Sequence, residues 1–91
     1  MKIINDQNHN DYGRANNMYE CSIKFDSTEQ MDKVLANWSL KDVYLDFPEV
    51  DEDAFGNMQI TCWASTNKMH WYGSKREFLS AVSKEAKRAK K

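Results

Sequence analysis

Three stretches of the chain alternate apolar and polar residues with the two-residue period of a β-strand. They are residues 18–25, 41–47 and 58–64. Asn67, which tolerates turn conformations, predicts a hairpin from the third stretch into a fourth strand at residues 69–72. Residues 1–4 could add a short edge strand. Pro48 cannot donate a backbone hydrogen bond, so we expect the second strand to end there.

Two other stretches carry the start signal and the spacing of amphipathic helices. Ser27 with Gln30, and Ser74 with Glu77, match the capping box, in which a side-chain oxygen accepts a backbone N–H of the first turn. Apolar residues then recur three and four positions apart, namely Met31, Val34, Leu35 and Trp38 in one stretch and Phe78, Leu79, Val82, Ala86 and Ala89 in the other. The pattern predicts one helix over residues 27–38 and a second that opens at residue 74.

The element order is therefore β-α-β-β-β-α, which predicts an α+β fold. We expect a two-layer sandwich, in which a mainly antiparallel sheet of about four strands carries both helices on one face. Residues 5–17 are polar and rich in turn-forming residues. We therefore divide the chain into a polar N-terminal arm, residues 1–17, and a single α+β domain, residues 18–91.

The alternation also predicts which strand residues face the helices. The inward residues would be Val43, Leu45, Phe47, Met58, Ile60, Cys62 and Ala64. Tyr44, Trp63 and Tyr72 would then lie on the outer face of the sheet. An uncovered aromatic face is typical of an interface with a protein partner, or with a second subunit in a homo-oligomer. The alternative is that the N-terminal arm folds back over this face.

Charge is divided unevenly along the chain, although the net charge is only −1. Residues 1–56 hold five basic and twelve acidic residues, a net charge of −7, whereas residues 57–91 hold eight basic and two acidic residues, a net charge of +6. Such asymmetry indicates a charged binding surface. The acidic charge is densest in the predicted loop at residues 48–56.

Our preferred hypothesis is a small non-catalytic protein-binding module. Its acidic segment would steer it to a partner with a basic surface, and its aromatic residues would anchor it there. A compact, charge-split chain without motifs suits the inhibitors that phages and other mobile elements encode, some of which mimic nucleic-acid charge to occupy a nuclease or an immune complex. The chain is thus an anti-CRISPR or anti-defence candidate. The predicted contact residues are Tyr44, Asp46, Glu49, Asp51, Glu52, Asp53, Trp63 and Tyr72.

The alternative hypothesis is a nucleic-acid-binding protein that uses basic residues at and before the second helix. These residues are Lys68, Lys75, Arg76, Lys84, Lys87 and Arg88. Residues 27–90 also resemble a double-stranded-RNA-binding domain in element order, and residues 73–76 fall where that family places a basic helix start against phosphates. The family's histidine-bearing loop corresponds here to the acidic residues 49–56, and the strand at residues 18–25 is an extra element.

No motif in the chain points to catalysis, to a metal or to a cofactor. The two histidines and two cysteines lack metal-ligand spacing. The segment from Asp51 begins like an EF-hand loop, but Phe55 and Cys62 stand where oxygen ligands are required. His70 on the predicted hairpin has no fixed catalytic partner, so we expect no enzyme.

The two cysteines help to predict the cellular compartment of the protein. Cys21 and Cys62 occupy predicted inward positions, and residues 1–6 contain no apolar secretory segment. No apolar run reaches membrane-spanning length. We therefore expect a cytoplasmic protein with two reduced thiols, although a disulfide would be open to the chain if the two strands are neighbours.

Overall fold

The computed structural model describes residues 1–4, 19–66 and 74–91. Its elements are β1 (Lys2–Ile4), β2 (Glu20–Phe25), α1 (Thr28–Asn37), β3 (Val43–Glu52), β4 (Met58–Thr66) and α2 (Lys75–Ala89). The strands form one antiparallel sheet in the order β1-β2-β4-β3. The predicted α+β fold with about four antiparallel strands is therefore confirmed.

The fourth strand of the described sheet is not the one that the element order predicts, and some predicted segments fall outside the described residues. The fourth strand of the observed sheet is β1, the short edge strand expected at residues 1–4, and it pairs with β2. The predicted strand at residues 69–72, its turn at Asn67 and the polar stretch at residues 5–17 lie outside the described residues. The placement of both helices on one face stays a prediction.

One face of the two central strands supplies the sheet's part of the core. Inward residues meet across β2 and β4 in three direct pairs: Cys21 with Ala64, Ile23 with Cys62, and Phe25 with Ile60. The buried helix residues Met31, Val34, Phe78, Val82, Ala86 and Ala89 belong to the same cluster. Burying one such large side chain contributes about 1.5–3 kcal/mol, against about 0–1 kcal/mol for a surface ion pair, so this cluster dominates stability.

Both helices begin at the predicted caps. The Ser27 hydroxyl accepts the backbone N–H of Gln30 at 3.1 Å. At α2 the Ser74 hydroxyl accepts the N–H of Glu77 at 3.2 Å, and the Glu77 carboxylate accepts the Ser74 N–H at 3.5 Å, which completes the capping box. Within the described ranges, neither helix has the length and apolar character of a membrane span.

A polar cluster ties the C-terminal ends of the two helices together. The Asn37 side-chain amide donates to the carbonyl of Ala89 at 3.1 Å. The Glu85 carboxylate accepts the Ser39 backbone N–H at 2.6 Å and the Arg88 guanidinium at 2.8 Å. These hydrogen bonds to Glu85 lower the pKa of its carboxyl group to about 2, and the bond from Arg88 has the largest effect. The cluster therefore holds α1 against α2 with a carboxylate that stays charged.

Strand β3 continues through Pro48, so the predicted end of this strand was wrong. Asp46 pairs with Trp63 and Glu49 with Thr61, which leaves Phe47 and Pro48 together opposite Cys62. This is a β-bulge, and Phe47 has the positive φ of 51°. A bulge on an edge strand is one of the few sheet positions that tolerate proline, because the missing N–H is not needed there.

Cys21 and Cys62 lie on neighbouring strands but diagonally, since Cys21 faces Ala64 and Cys62 faces Ile23. A diagonal pair has its Cα atoms about 7–8 Å apart, beyond the usual reach of a disulfide. Both thiols are free and buried. Burial raises the pKa of each thiol to about 12, and the nearby Cys62 also raises that of Cys21.

We expect both thiols to resist iodoacetamide in the folded protein near pH 8 and to react rapidly in urea. Because the thiol pKa rises from its ordinary 9.0 to about 12 on folding, the unfolded chain ionises first, and the free energy of unfolding should fall as pH rises from about 9. The matched Cys21→Ala/Cys62→Ala variant should lose less stability over that range. Rapid alkylation of the folded protein would contradict the burial of these thiols.

We expect Glu85→Gln to lower the free energy of unfolding by about 1 kcal/mol near neutral pH, because charge-assisted hydrogen bonds to Ser39 and Arg88 are lost. The ordinary pKa of 4.5 falls to about 2 in the fold, so the stability from Glu85 is present above about pH 4.5 and lost as pH falls toward 2. Urea unfolding from pH 2 to 7 measures this, with the exposed Asp32→Asn as control. An unchanged acid dependence in Glu85→Gln would overturn the assignment.

Candidate functional site

The bulge in β3 brings three carboxylates onto the outer face of the sheet. Each carboxylate-bearing residue lies opposite a β4 residue that faces away from the core. The pairs are Asp46 with Trp63, Glu49 with Thr61, and Asp51 with Gln59. Without the extra residue, Glu49 and Asp51 would have the opposite parity and face the core side. All three carboxyl-bearing residues are exposed. The structure thus produces an acidic row along the edge strand.

Three aromatic residues accompany this row. Tyr44 is 51% exposed and lies on β3 two positions before Asp46. Phe47 was predicted to face the core, but it is 67% exposed because the bulge carries it to the outer face. Trp63 is half-buried on the adjacent strand. We call this set of carboxylates and aromatic rings the β3 surface: Tyr44, Asp46, Phe47, Glu49, Asp51 and Trp63.

A hollow of about 200 Å³ opens within the β3 surface. It is lined by Asp46, Phe47 and Trp63 together with Glu20 and Ser65 of the two central strands. Glu20 pairs directly with Ser65, and Asp46 pairs directly with Trp63, so four lining residues form two neighbouring cross-strand pairs. Phe47 is the fifth residue that lines the hollow.

A larger hollow, of about 530 Å³, lies beside the end of α1 and the start of β3. Its described lining is mainly apolar, with Leu35, Trp38 and Leu45 among the residues. Among these described lining residues, Lys41 is the one charged side chain and no carboxylate is present. Complementarity to a basic partner would therefore favour the smaller hollow, despite its size. Tyr44 lines the larger hollow and pairs with Ser65, which lines the smaller one.

The basic residues of the outer face lie at the opposite side of the sheet. Lys24 of β2 pairs with Thr61 on one side and with Lys2 of β1 on the other. Thr61 in turn pairs with Glu49. The outer face therefore runs from positive at β1 to negative at β3, which gives it a definite polarity for a charged partner.

Seven of the eight predicted contact residues fall on β3, on β4 or in the turn between them: Tyr44, Asp46, Glu49, Asp51, Glu52, Asp53 and Trp63. Tyr72 lies outside the described residues. Glu52 pairs with Met58 and so has the parity of the core face, opposite to that of Asp51. The structure therefore separates Glu52 from the acidic row.

Asp53 organises the turn that joins β3 to β4. Its carboxylate accepts the backbone N–H groups of Phe55 at 2.8 Å and Asn57 at 2.9 Å, and the Gln59 side-chain amide at 3.3 Å. The bonds from Asn57 and Phe55 lower the pKa of Asp53. Its negative charge still adds to the field of the hairpin, but its oxygens are engaged within the turn.

Sequence reasoning missed this hairpin and assigned residues 48–56 to a loop. The signal was present as Asp53 followed three residues later by Gly56, the favoured ends of a type I turn. Gly56 has the positive φ of 83°, which a three-residue hairpin loop requires at its last position. Phe47 and Glu20 were also missed as site residues, since only the bulge and the strand pairing place them beside Trp63.

Three of the six basic residues proposed for nucleic acid form an exposed stripe on α2, and Lys75 at its start is half-buried. Arg76, Lys84 and Lys87 are exposed on the side away from the buried Phe78 and Val82. Arg88 instead binds Glu85 and the carbonyl of Asn37. Lys68 lies outside the described residues, and so does Gly73, from the segment compared with the double-stranded-RNA-binding domain. Between the helices the described residues form two strands, β3 and β4, and the third strand of that comparison was predicted at residues 69–72, outside the described residues.

Within the described part of the chain, no group of three or more histidine, cysteine or acidic residues could hold a metal ion. His70, the histidine considered for catalysis, lies outside the described residues. Comparison with known proteins finds no match to a family model, to a curated protein or to a solved structure.

We expect Gly56→Ala to lower the free energy of unfolding by about 1 kcal/mol, because a left-handed backbone is unfavourable for residues with a Cβ. The added Cβ would meet only the Glu52 carboxylate at 3.5 Å, an ordinary contact, so the cost is conformational. Gly56→Asn should cost less, since asparagine tolerates this region. Equal losses in the two variants, measured by urea unfolding, would contradict the assignment.

Proposed function

We propose that this chain is a small non-catalytic protein-binding module that docks through the β3 surface on a basic protein. The observation that carries the proposal is the bulge, which aligns Asp46, Glu49 and Asp51 on one face beside exposed aromatic rings. The partner we propose is a nucleic-acid-handling host protein, such as a nuclease or an immune complex. The chain would then act as an inhibitor of the phage-encoded, anti-CRISPR or anti-defence type.

Electrostatics supports this choice of partner. Glu49 and Asp51 are two residues apart on one strand, a spacing of about 7 Å. This is within the Debye length of about 8 Å at physiological salt, so their fields add at the surface. Charges of this kind accelerate association with an oppositely charged partner, whereas buried aromatic contacts mainly slow dissociation. The β3 surface offers both kinds of group.

A cytoplasmic location belongs to the same proposal. Cys21 and Cys62 are free thiols, which fits a reducing compartment. A homo-oligomer formed through the β3 surface is disfavoured by charge, because two copies would bring acidic rows together.

Nucleic-acid binding through α2 is the second candidate function. What favours it is the exposed stripe of Arg76, Lys84 and Lys87. Binding of this kind would weaken steeply as salt rises, because each neutralised phosphate releases counterions. Engagement of Arg88 by Glu85 reduces the number of free cations on the helix.

The first test is an affinity pulldown from host lysate, with and without nuclease treatment, followed by association kinetics with the captured protein. We expect a stoichiometric protein that survives nuclease, and a Glu49→Lys/Asp51→Lys variant that associates about tenfold more slowly at low salt. The matched control is Glu29→Lys/Asp32→Lys, which makes the same charge change on exposed positions of α1.

Two results would overturn the proposal. Equal slowing in both double variants would mean that net charge matters and the β3 surface does not. Co-purification of RNA or DNA, with partners lost on digestion and binding abolished by Arg76→Glu/Lys87→Glu, would establish the nucleic-acid function instead.

A further inference from the structure

The hollow in the β3 surface combines aromatic rings with carboxylates. Trp63 and Phe47 bring two rings to it, and Asp46 pairs directly with Trp63 across the strands. Glu20 adds a second carboxylate, paired with Ser65. An acidic cluster alone would indicate little, but here the aromatic rings provide a second, chemically independent feature. A hollow of about 200 Å³ admits a single side chain and not a folded element.

The chemistry of this lining selects for a planar cation. An apolar side chain inserted here would desolvate the Asp46 carboxylate without forming a hydrogen bond to it, which is costly. An anion would be repelled. A guanidinium group can stack on an aromatic face and also donate paired hydrogen bonds to a carboxylate. It is also more weakly hydrated than an ammonium group, so less hydration is lost on entry.

We propose that this hollow binds the guanidinium of an arginine side chain on the basic partner. The proposal rests on the docking function above and names its anchor. Phe47 distinguishes this site, because the bulge turns this residue out of the core and Phe47 then lines the same hollow as Asp46. Asp46 provides the charge, and Trp63 provides the second ring.

The test titrates the full chain with N-acetyl-arginine methylamide at low salt and follows backbone and indole N–H signals by NMR. We expect saturable shifts at the Trp63 indole and at the Ser65 amide in the millimolar range. The matched probe, N-acetyl-norleucine methylamide, has an apolar side chain and should give no saturable shift. Trp63→Phe assigns the indole signal among the three tryptophans.

Two conservative variants separate the contributions of ring and charge. Phe47→Leu keeps an apolar side chain at the same positive φ but removes the ring, and should weaken arginine binding about 2- to 5-fold. Asp46→Asn keeps the shape and removes the charge, and should weaken it by up to about 5-fold. Phe47→Tyr retains the ring and should bind like the native chain. Both positions are exposed, so the fold should persist, and the same spectra verify this.

Several outcomes would overturn the arginine site. These are equal shifts with the norleucine probe, tighter binding of N-acetyl-lysine methylamide, or undiminished arginine binding in Phe47→Leu. The docking function fails separately. If Glu49→Lys/Asp51→Lys slows partner association while Phe47→Leu changes the binding of neither the arginine probe nor the partner, the docking function stands and the arginine site falls. If arginine binds as expected but no basic protein is captured, the site stands and the docking function falls.

Discussion

Strand β4 pairs with a neighbour along both of its edges, and this double pairing sets the two faces of the sheet. Once Ile60, Cys62 and Ala64 are buried in the core cluster, the residues between them must lie on the outer face. A slip of one residue would exchange the two sets and expose the core. The position of Trp63 on the outer face is therefore a consequence of core packing, and it removes no apolar side chain from the core.

The bulge at Phe47 and Pro48 then adapts the edge strand to that outer face. It shifts the parity of every later residue of β3, so that Glu49 and Asp51 join Asp46. Edge strands are exposed to unwanted strand pairing, and bulges, proline and charged residues are the usual protection. Strand β3 has all three. Addition of a partner strand at this edge is correspondingly disfavoured, and the exposed face is the more suitable surface for docking.

The two charged surfaces have different structural origins. The basic residues near the end of α2 complement the helix dipole, and Arg88 is used to join α2 to the end of α1 through Glu85. Part of the positive charge is thus structural. On β3, by contrast, the carboxylates of Asp46, Glu49 and Asp51 lie opposite uncharged residues of β4. The local structure accounts for less of the acidic charge, and this is the physical basis for placing the proposed interface there.

Local chemistry allowed the sequence to determine the elements. Ser27 and Ser74 each cap a helix within one turn, and alternation around Ile23 and Cys62 identifies buried strand positions without reference to the rest of the chain. Most of the predicted acidic and aromatic contact residues could be named in the same way, although their function stays a proposal. The tertiary structure alone decided that β2 lies beside β4, that β3 passes through Pro48, and that Phe47 turns outward beside Glu20. Strand pairing and a bulge depend on which chain segments meet in space, and residue spacing along one segment does not contain that information.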